Sequence, residues 1–169
     1  MSGSLLSDAF GHHVWATLRV LDECLKLAPE QLDTTVPGTY GSILETARHL
    51  VGADGWYLFR ITEDASYRID EDRMDIPELR AAMERYAEAW PMILEQDIDP
   101  DEIEVRQNDG GSVSRTARGI RLAQVIHHGT DHRSQICTAL TTLGLEPPWI
   151  DLWAYGEETG RAVDIPAES

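Results

Sequence analysis

In this chain of 169 residues, the side chains best suited to chemistry lie between Gln124 and Gln135, where His127, His128 and His132 make up half of the six histidines. His128 and His132 stand four positions apart, one helical turn plus about 40°, which stacks both imidazoles on one edge of an α-helix. Two imidazoles at that spacing can grip one divalent ion. Leu122, Val125, Ile126, Gly129, Ile136, Cys137, Leu140 and Leu143 fall on one apolar arc, with His128 and His132 on its flank and His127 nearly opposite. His128 is therefore expected to look into an interhelical groove with His132, and His127 to meet solvent or a partner chain. A second reading stays open, in which the flanking histidines are partly buried and hydrogen-bonded to backbone or carboxylate, because an i,i+4 pair alone is a weak motif.

The elements that must position these residues follow from periodicity. Apolar Leu6, Phe10, Val14, Leu18, Leu21 and Leu25 recur at three- and four-residue steps and predict a first helix over about 5–27, ended by Pro29. His13 lies on the flank of that arc and is a rival metal ligand by geometry alone, whereas His12 points away. After a loop at 34–41, Ser42-Ile43-Leu44-Glu45 has the form of a capping box and opens a second helix to about Ile61. Its core side holds Ile43, Ala47, Leu50, Val51, Asp54, Tyr57 and Leu58, while His49 projects away, on the side of Ala53 and Trp56. An inward Asp54 wants a cation, a metal or a ligand histidine to orient. The acidic stretch 62–74 connects to a third helix after Asp75, with Pro77 in its first turn and Pro91 expected to kink or interrupt it. Residues 103–107 and 112–115 flank the turn Asn108-Asp109-Gly110-Gly111 and predict a short β-hairpin at one end of the helices. The last long helix spans about 117–143, roughly 40 Å, and stops at Gly144 and Pro147-Pro148. The aromatic tail around Trp149, Trp153 and Tyr155 either caps the helices or makes a dimer contact.

Composition narrows the function classes. With 42% apolar and 26% charged residues, the chain is ordinary globular material, long enough for one domain over 1–169. Its formal charge of −16 argues against nucleic-acid or anionic-membrane binding through a general field. Cys24 and Cys137 are too few for a disulfide framework and fit a reduced, cytoplasmic location. There is no run of about 18 apolar residues and no basic leader.

Four helices with one hairpin most simply pack as an antiparallel four-helix bundle, all-α in class. Three segments then resemble one family in the right order. His128-Gly129-Thr130-Asp131-His132-Arg133-Ser134-Gln135 is similar to the His-x-x-x-His-Arg-x-Gln signature of the DinB-like (DinB/YfiT) superfamily. Ser42 to Leu50 resembles its second-helix motif, and Gly144-Leu145-Glu146-Pro147-Pro148 with Asp151 and Tyr155 resembles its C-terminal end. The resemblance implies a bundle, commonly a homodimer, with one divalent metal held by His49 from the second helix and His128 and His132 from the fourth. The second-helix ligand comes from the family and not from periodicity. Thr17 departs from the pattern, standing where relatives often carry Asn. Arg133 projects inward and needs a carboxylate partner, for which Asp54 is a candidate.

Three neutral imidazoles suit zinc, nickel or another borderline first-row ion and leave positions for water or substrate, a catalytic rather than structural geometry. The resemblance favours a metal-dependent enzyme acting on a small molecule, a thiol S-transferase using a low-molecular-weight thiol or a hydrolase, with no catalytic acid or base assigned. The alternatives are a non-catalytic metal- or ligand-binding stress-response protein and a structural role for the histidines in bundle packing.

Overall fold

A computed structural model describes residues 4–96, 98–108 and 110–165. The protein is mostly helical, with a small two-stranded antiparallel sheet. Its elements are α1 (Leu5–Cys24), a one-turn α2 (Pro29–Leu32), α3 (Ile43–Thr62), α4 (Ile76–Leu94), β1 (Ile103–Gln107), β2 (Val113–Ala117), α5 (Arg118–Thr142) and a short α6 (Leu152–Glu158). Two single 3-10 turns, Ala65–Tyr67 and Glu71–Arg73, lie between α3 and α4. No helix among the described residues is long and apolar enough to cross a membrane.

Local chemistry sets the helix starts. Ser42 accepts from the Glu45 N–H while Glu45 Oε2 accepts from the Ser42 N–H, and Asp75 and Glu78 exchange the same pair of bonds, so both capping boxes close. Contrary to expectation, α4 runs through Pro91 without interruption. Only Met92, Ile93 and Leu94 follow it, so the missing N–H falls in the last turn, where little of the helix depends on it. α1 stops at Cys24, short of the expected end, and Leu6 and Leu25 are exposed rather than core.

Each of the four long helices packs on two others: α1 on α4 and α5, and α3 on the same pair. Their buried faces share one core, in which Phe10, Leu21, Leu50, Leu58, Tyr86, Trp90 and Ile136 are almost fully enclosed. α3 and α5 thus lie side by side, and each turns one flank toward the groove between them. The hairpin pairs Ile103 with Ala117 through Gln107 with Val113 and passes straight into α5. Asn108 and Ser112 close its turn, Gly111 taking a φ of 79° that favours glycine, and the turn's Asp109 lies outside the described residues. The tail divides its aromatic residues. Tyr155 packs on α1, its ring 5.6 Å from Trp15, and His12 Nε2–H donates to the Ile150 carbonyl at 2.8 Å. Trp149 and Trp153 stay exposed.

Candidate metal centre

The groove between α3 and α5 gathers His49, His128 and His132, one ring nitrogen of each lying within 4.8 Å of the others. His49 leaves the core arc of α3 as its periodicity requires, and it meets α5 because that helix covers the adjoining flank. His49 Nε2 and His128 Nε2 are 3.1 Å apart. His127, on the opposite side of α5, is exposed.

The third ring has a fixed tautomer. Gln135 Oε1 accepts the backbone N–H of Tyr40 at 3.1 Å and lies 2.9 Å from His132 Nδ1. The amide atom facing a backbone N–H must be the oxygen, so His132 Nδ1 carries the proton and Nε2 keeps its lone pair. Tyr40 is delivered by the loop at 34–41, which is pinned by the Thr35–Ser42 bridge and by Thr39 Oγ1–H donating to the Val36 carbonyl. Its ring stacks on His49 with centroids 4.1 Å apart and 6° between planes, and it meets His132 edge-on at 5.5 Å. Neither Tyr40 nor this role of Gln135 was marked by sequence pattern; an aromatic residue in a Gly-rich loop is a weak signal.

Burial and like charge favour the neutral form of two of the rings, His128 and His49. Burial, then the neighbouring His132 and His49, push His128 down to about 4. His49 is lowered by burial and then by His132. Neutral imidazole is the form that ligates. Two Nε2 atoms at 3.1 Å satisfy each other only if one carries a proton, whereas a shared cation uses both lone pairs. Nitrogens about 2.0–2.1 Å from one ion stand roughly 2.9–3.4 Å apart at right or tetrahedral angles, so this pair fits a common ion. The full three-atom spread, up to 4.8 Å, exceeds that range, so the rings must draw together to share one ion. The donor set is that of an open site, three imidazoles and no carboxylate.

His13 is not part of this cluster. It is fully buried, with Nε2 2.7 Å from Asp54 Oδ2 and Nδ1 2.9 Å from Arg133 Nη1. Arg133 can only donate, so His13 Nδ1 accepts and Nε2–H is given to Asp54. Both ring nitrogens are engaged, which removes His13 as a rival ligand. The expected Arg133–Asp54 pairing is likewise revised: among the described residues the two form no direct ion pair, and His13 stands between them. Thr17 belongs to the same network, accepting from Arg133 Nη1 at 3.1 Å and donating to the His13 carbonyl. Burial lowers Arg133 to about 10 against the opposing pull of Asp54. Gly129 makes this possible: a Cβ there would come within 2.3 Å of His13 Cε1.

Beside His49 and His128 opens a cavity of about 490 Å3, with Trp56, Tyr57, Arg68 and Glu71 also on its walls. Glu71 presses into α3 at Gly52, where a Cβ would sit 1.3 Å from its Oε2. Burial, then Asp72, raise its carboxyl above the usual range.

A mostly helical protein with a three-histidine cluster able to hold a divalent ion, flanked by a cavity, is the class these features define. The DinB family model matches residues 1–166, and the chain belongs to that family. No curated protein matches the chain significantly.

Proposed function

We propose that the protein is a metal-dependent enzyme acting on a small molecule, with one divalent ion, zinc or nickel, held by His49, His128 and His132. The observation that carries this reading is the 3.1 Å approach of His49 Nε2 and His128 Nε2 beside a His132 whose Nδ1 proton is committed to Gln135. Such an ion supplies Lewis acidity that lowers the pKa of a water or thiol beside an electrophile. The chain's own residues do the rest. Gln135 orients His132, Tyr40 shields one side of the cluster, and burial lowers His49 and His128 toward their neutral, ligating form. The adjoining cavity admits a substrate, and Glu71 offers it a carboxyl able to hold or release a proton.

Thiol S-transfer and hydrolysis are the two reaction classes. Burial pushes the Cys24 thiol up to about 12 and raises Cys137 as well, so neither supplies a thiolate and any thiol is an incoming, low-molecular-weight one. The test screens metal-loaded protein with several such thiols against a model electrophile, and with esters and amides, using His132→Ala as the blank. A rate lost only in the variant supports the enzyme. No turnover in either protein, with the ion bound to the wild-type chain, would move the assignment to a non-catalytic metal- or ligand-binding protein.

The wider reading treats 1–169 as one domain, an antiparallel four-helix bundle, acting in the reducing cytoplasm as a homodimer. Exposed Trp149 and Trp153 are the surface offered for the dimer contact.

A further inference from the structure

Away from the histidines, guanidinium groups converge on one aromatic ring. Trp56, two turns along α3 from His49, has Arg121 of α5 at 5.7 Å from its ring centre and Arg106 of β1 at 5.9 Å. Arg60, one turn further along α3, is close enough to Arg121 for the two cations to disfavour each other. Arg121 is 92% buried and gives Nη2–H to Glu104 at 2.6 Å, yet its Nε is buried with no acceptor, as are those of Arg60 and Arg118. Among the described residues, Arg60 and Arg106 form no ion pair. Four guanidiniums, counting Arg118, are therefore set against the carboxylates of Glu102 and Glu104. Crowding cations around a buried Arg121 and a half-buried Arg60 costs free energy unless an anion is shared among them. It is the more unusual in a chain of formal charge −16.

We infer that Arg60, Arg106 and Arg121 around Trp56 form an anion-binding site at the hairpin end of the histidine pocket, and that the pocket's substrate carries a carboxylate or phosphate there. Trp56 joins the two parts, since it also lines the cavity shared with His49 and His128. Seven residues of helix separate His49 from Trp56, so the anionic end lies about 10 Å from the group that meets the histidines. The guanidinium fork matches either oxyanion in bidentate fashion. Asp70 and Asp72, which line the cavity with Arg68, repel the same charge and favour entry with the anionic end toward the arginines. The substrate class rests on the functional reading above; the anion site does not.

The test follows the Trp56 indole N–H resonance, assigned by its loss in Trp56→Phe, while the full-length chain is titrated with malonate and, separately, with inorganic phosphate. Ionic strength is held constant with sodium chloride, and the titration is repeated after chelation so that a metal-bound anion is not mistaken for one on the arginines. The expected result is a saturable shift, with a dissociation constant on the order of millimolar, weakened about fivefold or more in Arg106→Gln and in Arg60→Gln. Saturation by only one of the two anions identifies which group the site takes. A shift that is absent, fails to saturate, or is unchanged in both variants would overturn the inference. Arg106 lies on an exposed strand, so its variant keeps the test independent of folding. Loss of the metal reading leaves this titration in chelated protein intact, whereas a failed titration with metal still bound removes only the anion site.

Discussion

Replacing Gln135 by Ala removes the acceptor of His132 Nδ1–H and of the Tyr40 N–H in one step. His132 is then free to rotate and to change tautomer, and Tyr40 loses the bond that holds its ring over His49. Loss of a partner that orients a ligating histidine typically costs 10–100-fold in metal affinity, which is about 1.4–2.7 kcal/mol. The disturbed stacking puts the expectation for Gln135→Ala in the upper half of that range. Gln135→Glu keeps an oxygen that accepts both bonds and makes the imidazole more basic, so it should retain wild-type affinity or exceed it. Competition for zinc against a chromophoric chelator near neutral pH reads both variants. An Ala variant within about twofold of wild type, or a Glu variant as weak as Ala, would refute the claim that Gln135 sets the ligand.

Three further outcomes are expected. Gly129→Ala drives a methyl into the His13 ring, which Asp54 and Arg133 hold in place, and overpacking of that kind costs about 1–3 kcal/mol; thermal melts should fall by several degrees, and an unchanged melt would mean that α5 shifts freely. His128 is held near 4 in the folded chain against about 6.5 unfolded, so the metal-free protein has its full stability from this group above pH 6.5 and loses it as the pH falls toward 4; urea midpoints measured across that window should decline, and a flat profile would contradict the lowered value. Sedimentation at micromolar concentration should give twice 18.9 kDa, and a Trp153→Glu change should shift the species toward monomer; a wild-type monomer would leave the exposed tryptophans without this role.

Much of the fold was legible because its signals are local. Ser42 with Glu45 and Asp75 with Glu78 mark helix starts by side chains that bond their own backbone, and the hairpin is written in turn residues. The core of α3 follows its apolar period, Asp54 included. The candidate site was legible only in part. His128 and His132 are close in sequence and share a helix edge, so spacing finds them. His49 lies off the apolar arc of α3, and nothing within that helix says that α5 covers its other flank; the family resemblance supplied it. His13 looked equivalent to a ligand because flank position does not reveal which carboxylate or guanidinium stands opposite, and those groups come from Asp54 and Arg133, 41 and 120 residues away. Tyr40 and the Arg60–Arg106–Arg121 cluster are brought together by tertiary packing alone. Pro91 was overweighted, since its effect depends on how much helix remains after it.

The most direct measurement is elemental analysis of protein prepared without chelator or a nickel column, repeated after reconstitution with zinc and with nickel. Metal held by His49, His128 and His132 predicts one ion per chain, retained in His127→Ala and lost in His132→Ala. A wild-type chain that takes up no stoichiometric ion, or a His132→Ala chain that keeps it, would contradict the three-histidine centre.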